Sequence, residues 1–157
     1  MLLIETCTML MVNLDILAVK HFCSPTVAGL YAGAAMLGKI VLLTSSAARA
    51  VLFPKVVLLA EEPSQLRALL RRGLLWTGIP ALGVSVGYAA IPRLALQLVY
   101  GERYLAAAAL VGPFGIAMFL YSLSSVLLTY HLALRRTRVA VGVVGFLVIE
   151  VAFLSRQ

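Results

Sequence analysis

The sequence predicts an all-α, multi-pass transmembrane helix bundle of about five spans, on three observations. Of its 157 residues 62% are hydrophobic and 12% charged, with a mean hydropathy of +1.04. Soluble domains carry about 25% charged residues, so this chain has too little polar surface to face water all round. Next, the apolar stretches are long and lack the alternation of a membrane barrel strand. In lipid every backbone N–H and C=O must be paired within the protein, and continuous apolar runs do that as helices. Finally, the basic residues behind the +7 net charge stand mostly between the apolar runs, where they set topology. No basic surface with interleaved aromatics occurs, and nucleic acid is not an expected partner.

The elements follow in order. A first span is expected at 2–19, stopped by Lys20-His21-Phe22-Cys23-Ser24-Pro25. It lacks a basic leader and a small-residue cleavage site, so it reads as a span and not as a signal peptide. The second covers 27–59, with Pro54 near its end. Glu61-Glu62-Pro63-Ser64 has the composition of a helix start, and 65–72 reads as a short basic amphipathic helix at the membrane surface. The third span covers 73–91, closed by Pro92, and 93–104 reads as a connection. The fourth covers 105–134, interrupted at Gly112-Pro113, and the fifth 139–154 after the turn Arg135-Arg136-Thr137-Arg138. The second and fourth spans exceed the roughly 20 residues that cross about 30 Å of hydrocarbon, so they must tilt, kink or project.

Alternating spans put Lys55, Arg67, Arg71, Arg72, Arg135, Arg136 and Arg138 on one side, and Lys20, Arg93, Arg103 and Arg156 on the other. The positive-inside rule makes the richer side cytoplasmic, with Met1 inside, Gln157 outside and Trp76 as a cytoplasmic-side interfacial anchor. The inner membrane of a cell is the expected location. Five spans make an odd unit, and the chain reads as part of a larger bundle.

The polar residues of the second helix are the chief candidate site. At about 100° per residue, Tyr31, Gly38, Lys39, Ser45, Ser46 and Arg49 fall within an arc of about 120°. Lys39 lies roughly 16 Å along the helix from Ala28, near mid-membrane. An ammonium facing lipid there costs at least about 2.5–3.5 kcal/mol, so it must face the bundle interior or a wet cavity. Lys39 and Arg49 are therefore candidates for binding an anionic group, set against an internal ion pair or, for Arg49, snorkelling to the headgroups. On the first helix Glu5, Thr8 and Asp15 share an arc of about 80°, with Asn13 further round. Antiparallel packing would let Asp15 meet Lys39 and Glu5 meet Arg49, as ion pairs or as ion-coupling groups; the alternative is two interfacial charges.

The remaining features read as structural. Gly83-Val84-Ser85-Val86-Gly87 is a GxxxG face for close helix contact, and Gly78-Ile79-Pro80 a kink site. Ser122, Ser125 and Thr129 share a face suited to interhelical hydrogen bonds. Glu150 is a weaker intramembrane candidate, and His131 a headgroup-level residue. Cys7 and Cys23, about 24 Å apart on a helix, cannot pair within one chain. P-loop, HExxH, CxxC and nucleophile-elbow motifs are missing, and His21 and His131 fall on opposite sides. No enzymatic activity, metal or cofactor is expected.

The order of several short motifs is similar to one family. Asn13-Leu14-Asp15-Ile16-Leu17, Val27-Ala28-Gly29-Leu30-Tyr31-Ala32-Gly33-Ala34-Ala35 and Leu52-Phe53-Pro54 come first. Tyr100-Gly101-Glu102-Arg103-Tyr104-Leu105-Ala106-Ala107-Ala108 and Tyr130-His131-Leu132-Ala133-Leu134 follow. This series resembles the polysaccharide flippase branch of the multidrug/oligosaccharidyl-lipid/polysaccharide exporter superfamily. The resemblance implies half of a two-lobe transporter, beginning at the second lobe, with a first lobe as missing partner and a central cavity of alternating access. It further implies flipping of lipid-linked oligosaccharide precursors, of the kind lipopolysaccharide assembly uses, from the inner to the outer leaflet. The anionic pyrophosphate of such a substrate suits Lys39 and Arg49. The alternatives are an ion-coupled multidrug or toxin exporter using Asp15 or Glu5, and a non-transporting membrane fragment.

Overall fold

The computed structural model describes residues 2–59, 62–134 and 142; some side chains within them, including those of Glu5, Thr44, Ser45 and Arg49, lie outside that description. The expected fifth span 139–154, with Glu150, and the turn Arg135–Arg138 also lie outside the described residues. The described chain is all-α: α1 (Leu2–Phe22), α2 (Pro25–Leu58), α3 (Pro63–Ala90), α4 (Pro92–Tyr100), a short 3-10 helix (Glu102–Ala107) and α5 (Ala108–Ala133). Three stretches, Pro25–Leu43, Ser64–Ala90 and Glu102–Ala133, are long and apolar enough to cross a membrane.

Two boundaries differ from expectation. The surface helix at 65–72 is not separate: α3 runs unbroken through it, for 28 residues. Arg71-Arg72-Gly73 contains no breaker that tertiary packing cannot absorb, because Gly73 sits against Leu52 of α2 and Val126 of α5. The connection at 93–104 is also helical. Pro92 opens α4 at its first position and Gly101 closes it at φ 78°, the proline-first, glycine-after asymmetry of helix ends. Leu96 of α4 is fully buried among Ala34, Leu37, Ala107 and Val111, which is what makes so short a helix worth forming.

The helix pairings follow from which residues share clusters. Ala34 and Leu37 of α2 pack with Ala107 and Val111 at one end, and Leu52 and Val56 pack with Val126 and Ala133 at the other. Thus α2 and α5 run parallel. α3 runs antiparallel to both, with Leu66 at the α2 C-terminal end and Tyr88 at its N-terminal end. This gathers Lys55, Arg67, Arg71, Arg72 and His131 at one end of the bundle, and Arg93 and Arg103 at the other. The grouping of described cations expected from span alternation is therefore present. The outer surface is apolar, with Leu58 82%, Trp76 77%, Leu98 77% and Ile79 68% exposed, as a lipid-facing surface requires.

Close approach uses glycines other than those expected. A Cβ at Gly83 or Gly87 would meet nothing within 4 Å, so the GxxxG face does not pack against the described bundle. The side of α3 that meets α5 is marked by Ser85, whose Oγ donates to Gly115 O across the interface (2.8 Å) and to Ala81 O in its own helix (2.8 Å). Gly83 and Gly87, each two residues from Ser85, point about 160–200° away. The tight approaches are instead at Gly33 against Tyr104, Gly38 against Phe114 and Met118, and Gly73 against Leu52, while Gly115 lies in van der Waals contact with Ser85 and Tyr88.

The hydroxyls of α5 also depart from expectation. Ser125 donates to Ser122 O (2.7 Å) and Thr129 to Ser125 O (2.9 Å), both in their own helix. A hydroxyl that can reach a carbonyl three or four residues back satisfies itself without a partner helix. Ser122 Oγ and, on α3, Thr77 Oγ1 are buried without a hydrogen-bond partner among the described residues.

Candidate functional site: the polar face between α1 and α2

α1 lies antiparallel against α2, and the charged and amide side chains of the two helices meet along that contact. Lys39 is half-buried, and its Nζ donates to Asn13 Oδ1 at 2.8 Å. Asn13 Nδ2 in turn donates to Met9 O (2.6 Å), which orients the amide so that its oxygen faces the lysine. Eight residues towards the start of α2, Tyr31 donates its hydroxyl to Asp15 Oδ2 at 3.1 Å. Asp15 Oδ1 is buried and has no donor among the described residues.

Lys39 therefore meets Asn13 and not Asp15, the partner expected from antiparallel packing. Asn13 and Asp15 are two positions apart and point about 200° apart around α1. They straddle the contact line with α2, and a side chain that reaches one flank cannot serve the other. Lys39 takes the Asn13 flank and Tyr31 the Asp15 flank. Among the described residues Lys39 has no carboxylate partner.

The second helix's polar arc also divides. Gly38 does not line the α1 face; a Cβ there would stand 3.0 Å from Phe114 Cβ and 3.3 Å from Met118 Cγ of α5. Tyr31 serves both neighbours, since its ring meets that of Phe114 edge-on at 5.1 Å while its hydroxyl holds Asp15. Ser46 returns its hydroxyl to Leu43 O of its own helix (2.8 Å). The side chains of Arg49, Glu5, Thr8 and Ser45 lie outside the described residues, and with them the expected Glu5–Arg49 pair. Two participants were missed in the sequence: Asn13 as the partner of Lys39 and Tyr31 as the donor to Asp15. Both were visible as polar residues on apolar helices; the register that pairs them was not.

At the far end of α5, His131 Nδ1 lies 2.8 Å from Leu127 O and its ring meets Tyr130 edge-on. Cys23 is free and exposed. Among the described residues no group of His, Cys, Asp and Glu is arranged to hold a metal ion. Among the described residues the α1–α2 face offers one ammonium oriented by a neutral amide, and one carboxylate with an open oxygen.

A family model described as polysaccharide biosynthesis protein matches residues 1–109. The chain belongs to the polysaccharide biosynthesis protein family. The match takes in α1 to α4, and with them Asn13, Asp15, Tyr31 and Lys39. Together with the apolar helices, family membership makes this a membrane protein of polysaccharide biosynthesis. No curated protein and no solved structure matches the chain.

Proposed function

We propose that the chain contributes a helical lobe to a flippase, which carries lipid-linked oligosaccharide or polysaccharide precursors from the inner to the outer leaflet of the cytoplasmic membrane. The observation that carries this reading is Lys39. Its positive charge stands in a candidate span, oriented by the neutral amide of Asn13 and not cancelled by a carboxylate among the described residues. A neutral partner fixes the ammonium's direction and leaves its charge for a ligand. The phosphate or pyrophosphate of a lipid-linked sugar is a ligand of matching charge, and membership of a polysaccharide biosynthesis family favours that substrate class. Arg49, on the same arc of α2, would be a second cation for it, and Asp15 with Glu5 the groups for ion coupling or local charge balance. The protein's task in this reading is to bind, shield and release; it breaks and forms no covalent bond, and works with a further lobe of the transporter.

The substrate class is tested by reconstituting the protein in vesicles with a labelled polyprenyl-pyrophosphate sugar, and separately with a cationic dye. Movement of the sugar lipid between leaflets is expected, with no uptake of dye. Dye transport without lipid movement would favour an ion-coupled exporter acting through Asp15, and transport of neither would leave a structural membrane subunit.

The orientation proposed with it puts the N-terminus and the Lys55–Arg67–Arg71–Arg72 end in the cytoplasm. In a background lacking Cys7 and Cys23, Glu102→Cys should react with an impermeant maleimide on intact cells and Arg67→Cys only after permeabilisation. The reverse pattern would refute the orientation.

A further inference from the structure

The end of the bundle where α2 finishes and α3 begins carries a groove of about 570 Å³, lined by Lys55, Leu58, Leu59, Gln65, Leu69 and Arg72 among others. Its volume lies within the roughly 300–1,000 Å³ typical of small-molecule sites. Its position is some 24 Å along α2 from Lys39, so it is separate from the α1–α2 face. Three properties decide what it suits.

The first is depth. α3 has 28 residues and so spans about 42 Å, more than the hydrocarbon thickness of about 30 Å. Arg67, Arg71 and Arg72 are exposed near its start, and arginine heads avoid hydrocarbon. The first turns of α3, and the groove with them, therefore stand at headgroup level.

The second is charge. Lys55 and Arg72 approach the groove from two different helices, and neither has an ion-pair partner among the described residues. The described carboxylate nearest in sequence, that of Glu62, already accepts a hydrogen bond from the Gln65 amide.

The third is the rest of the lining. It is leucine and alanine, with Leu58 among the most exposed apolar side chains of the molecule. Among the described residues Gln65 is the single neutral polar side chain lining it, and none of them offers an aromatic platform or a hydroxyl to a sugar ring.

The geometry points to a binding site for an anionic phospholipid, with Lys55 and Arg72 holding the headgroup phosphate between the ends of α2 and α3, and the acyl chains lying along Leu58 and its neighbours. Two cations on separate helices make the bound lipid a clip across the Glu62 turn. The groove's chemistry selects a head of net negative charge joined to an apolar tail, and nothing among its described lining residues selects a saccharide.

Native mass spectrometry in neutral detergent tests this, using the purified chain with phosphatidylglycerol or phosphatidylcholine. Phosphatidylglycerol should be retained in preference. Each basic group at a membrane surface contributes about fivefold, so Lys55→Ala with Arg72→Ala should weaken phosphatidylglycerol retention about 25-fold, to the phosphatidylcholine level. Arg67→Ala with Arg71→Ala removes the same charge outside the groove and should change retention far less. Both double variants alter exposed residues, and an unchanged detergent melting temperature checks that they fold. Glycerol phosphate at millimolar concentration should not displace the lipid. Equal retention of the two lipids, or equal loss from the two double variants, would overturn the site in favour of diffuse surface charge. Displacement by glycerol phosphate would make it a site for free phosphate, and displacement by a polyprenyl-pyrophosphate sugar at equal concentration would make it a substrate site; each overturns the assignment to a membrane lipid.

Discussion

Lys39→Ala should abolish most export of lipid-linked sugar while the protein still inserts and folds. A hydrogen bond to a charged group contributes about 1.5–3 kcal/mol, so transport at limiting substrate should fall roughly 10- to 150-fold. Lys39→Arg should retain part of the activity, because the charge remains while a planar fork replaces a point donor. Asn13→Ala leaves the charge and removes the group that orients it at 2.8 Å, so a smaller loss is expected. A purely structural lysine predicts a different set of results. Lys39→Ala, Asn13→Ala and their double variant would then show coupled losses of melting temperature in detergent, with export unaltered. Normal export by Lys39→Ala would rule out the binding role, whatever the melting temperatures show. Asp15→Asn separates the two flanks: it removes a carboxylate held by Tyr31 and leaves the Lys39–Asn13 bond in place, so substrate binding should survive it.

Gly38→Leu should strongly destabilise the packing of α2 against α5. A Cβ alone at this position comes within 3.0 Å of Phe114 Cβ and 3.4 Å of the Phe114 carbonyl carbon, neither of which is the mobile end of a side chain. The remaining leucine atoms have no space unless α2 and α5 separate. Overpacking of this kind costs about 1–3 kcal/mol, and more where backbone must move. Because Phe114 also braces the Tyr31 ring, displacing it should disturb the Asp15 flank next door. The measurement is the detergent melting temperature of Gly38→Leu beside Gly83→Leu. Gly83 is exposed, and a Cβ added there would meet nothing within 4 Å, so its substitution should be nearly neutral. Equal melting temperatures for the two variants would contradict the packing described for α2 and α5.

The contrast between those glycines shows where sequence reading stops. GxxxG spacing marks a helix face able to approach another, and Gly83 and Gly87 have that spacing. Whether a neighbour occupies that face depends on how α3 is rotated about its axis, and Ser85 turned towards Gly115 sets the rotation the other way. Gly38 and Gly115 belong to no GxxxG spacing, yet they are sites of close helix approach.

Much of the architecture was open to a reader of the sequence, for a physical reason. Lipid leaves helices as the one way to pair every backbone group of a long apolar run, so the all-α class and the approximate limits of α1, α2 and α5 follow from composition and run length. Basic residues cannot stay in hydrocarbon, and their grouping at the two ends of the bundle follows as well. The cost of an ammonium in a span marked Lys39 as a residue that must find company, and it has. Pro92 and Gly101 even carried the start and stop of α4, although nine residues between them are too few to read as a span.

Tertiary structure alone decided which company Lys39 keeps. Helical periodicity assigns each side chain an angle about its own axis, but the sliding register and relative rotation of two helices are set by packing across many residues. Asn13 and Asp15 differ by two positions along α1 and by about 200° around it, and only the docked pair of helices determines which flank faces the lysine. That choice gave the lysine a neutral amide and the carboxylate a tyrosine, leaving a cation with its charge uncancelled among the described residues.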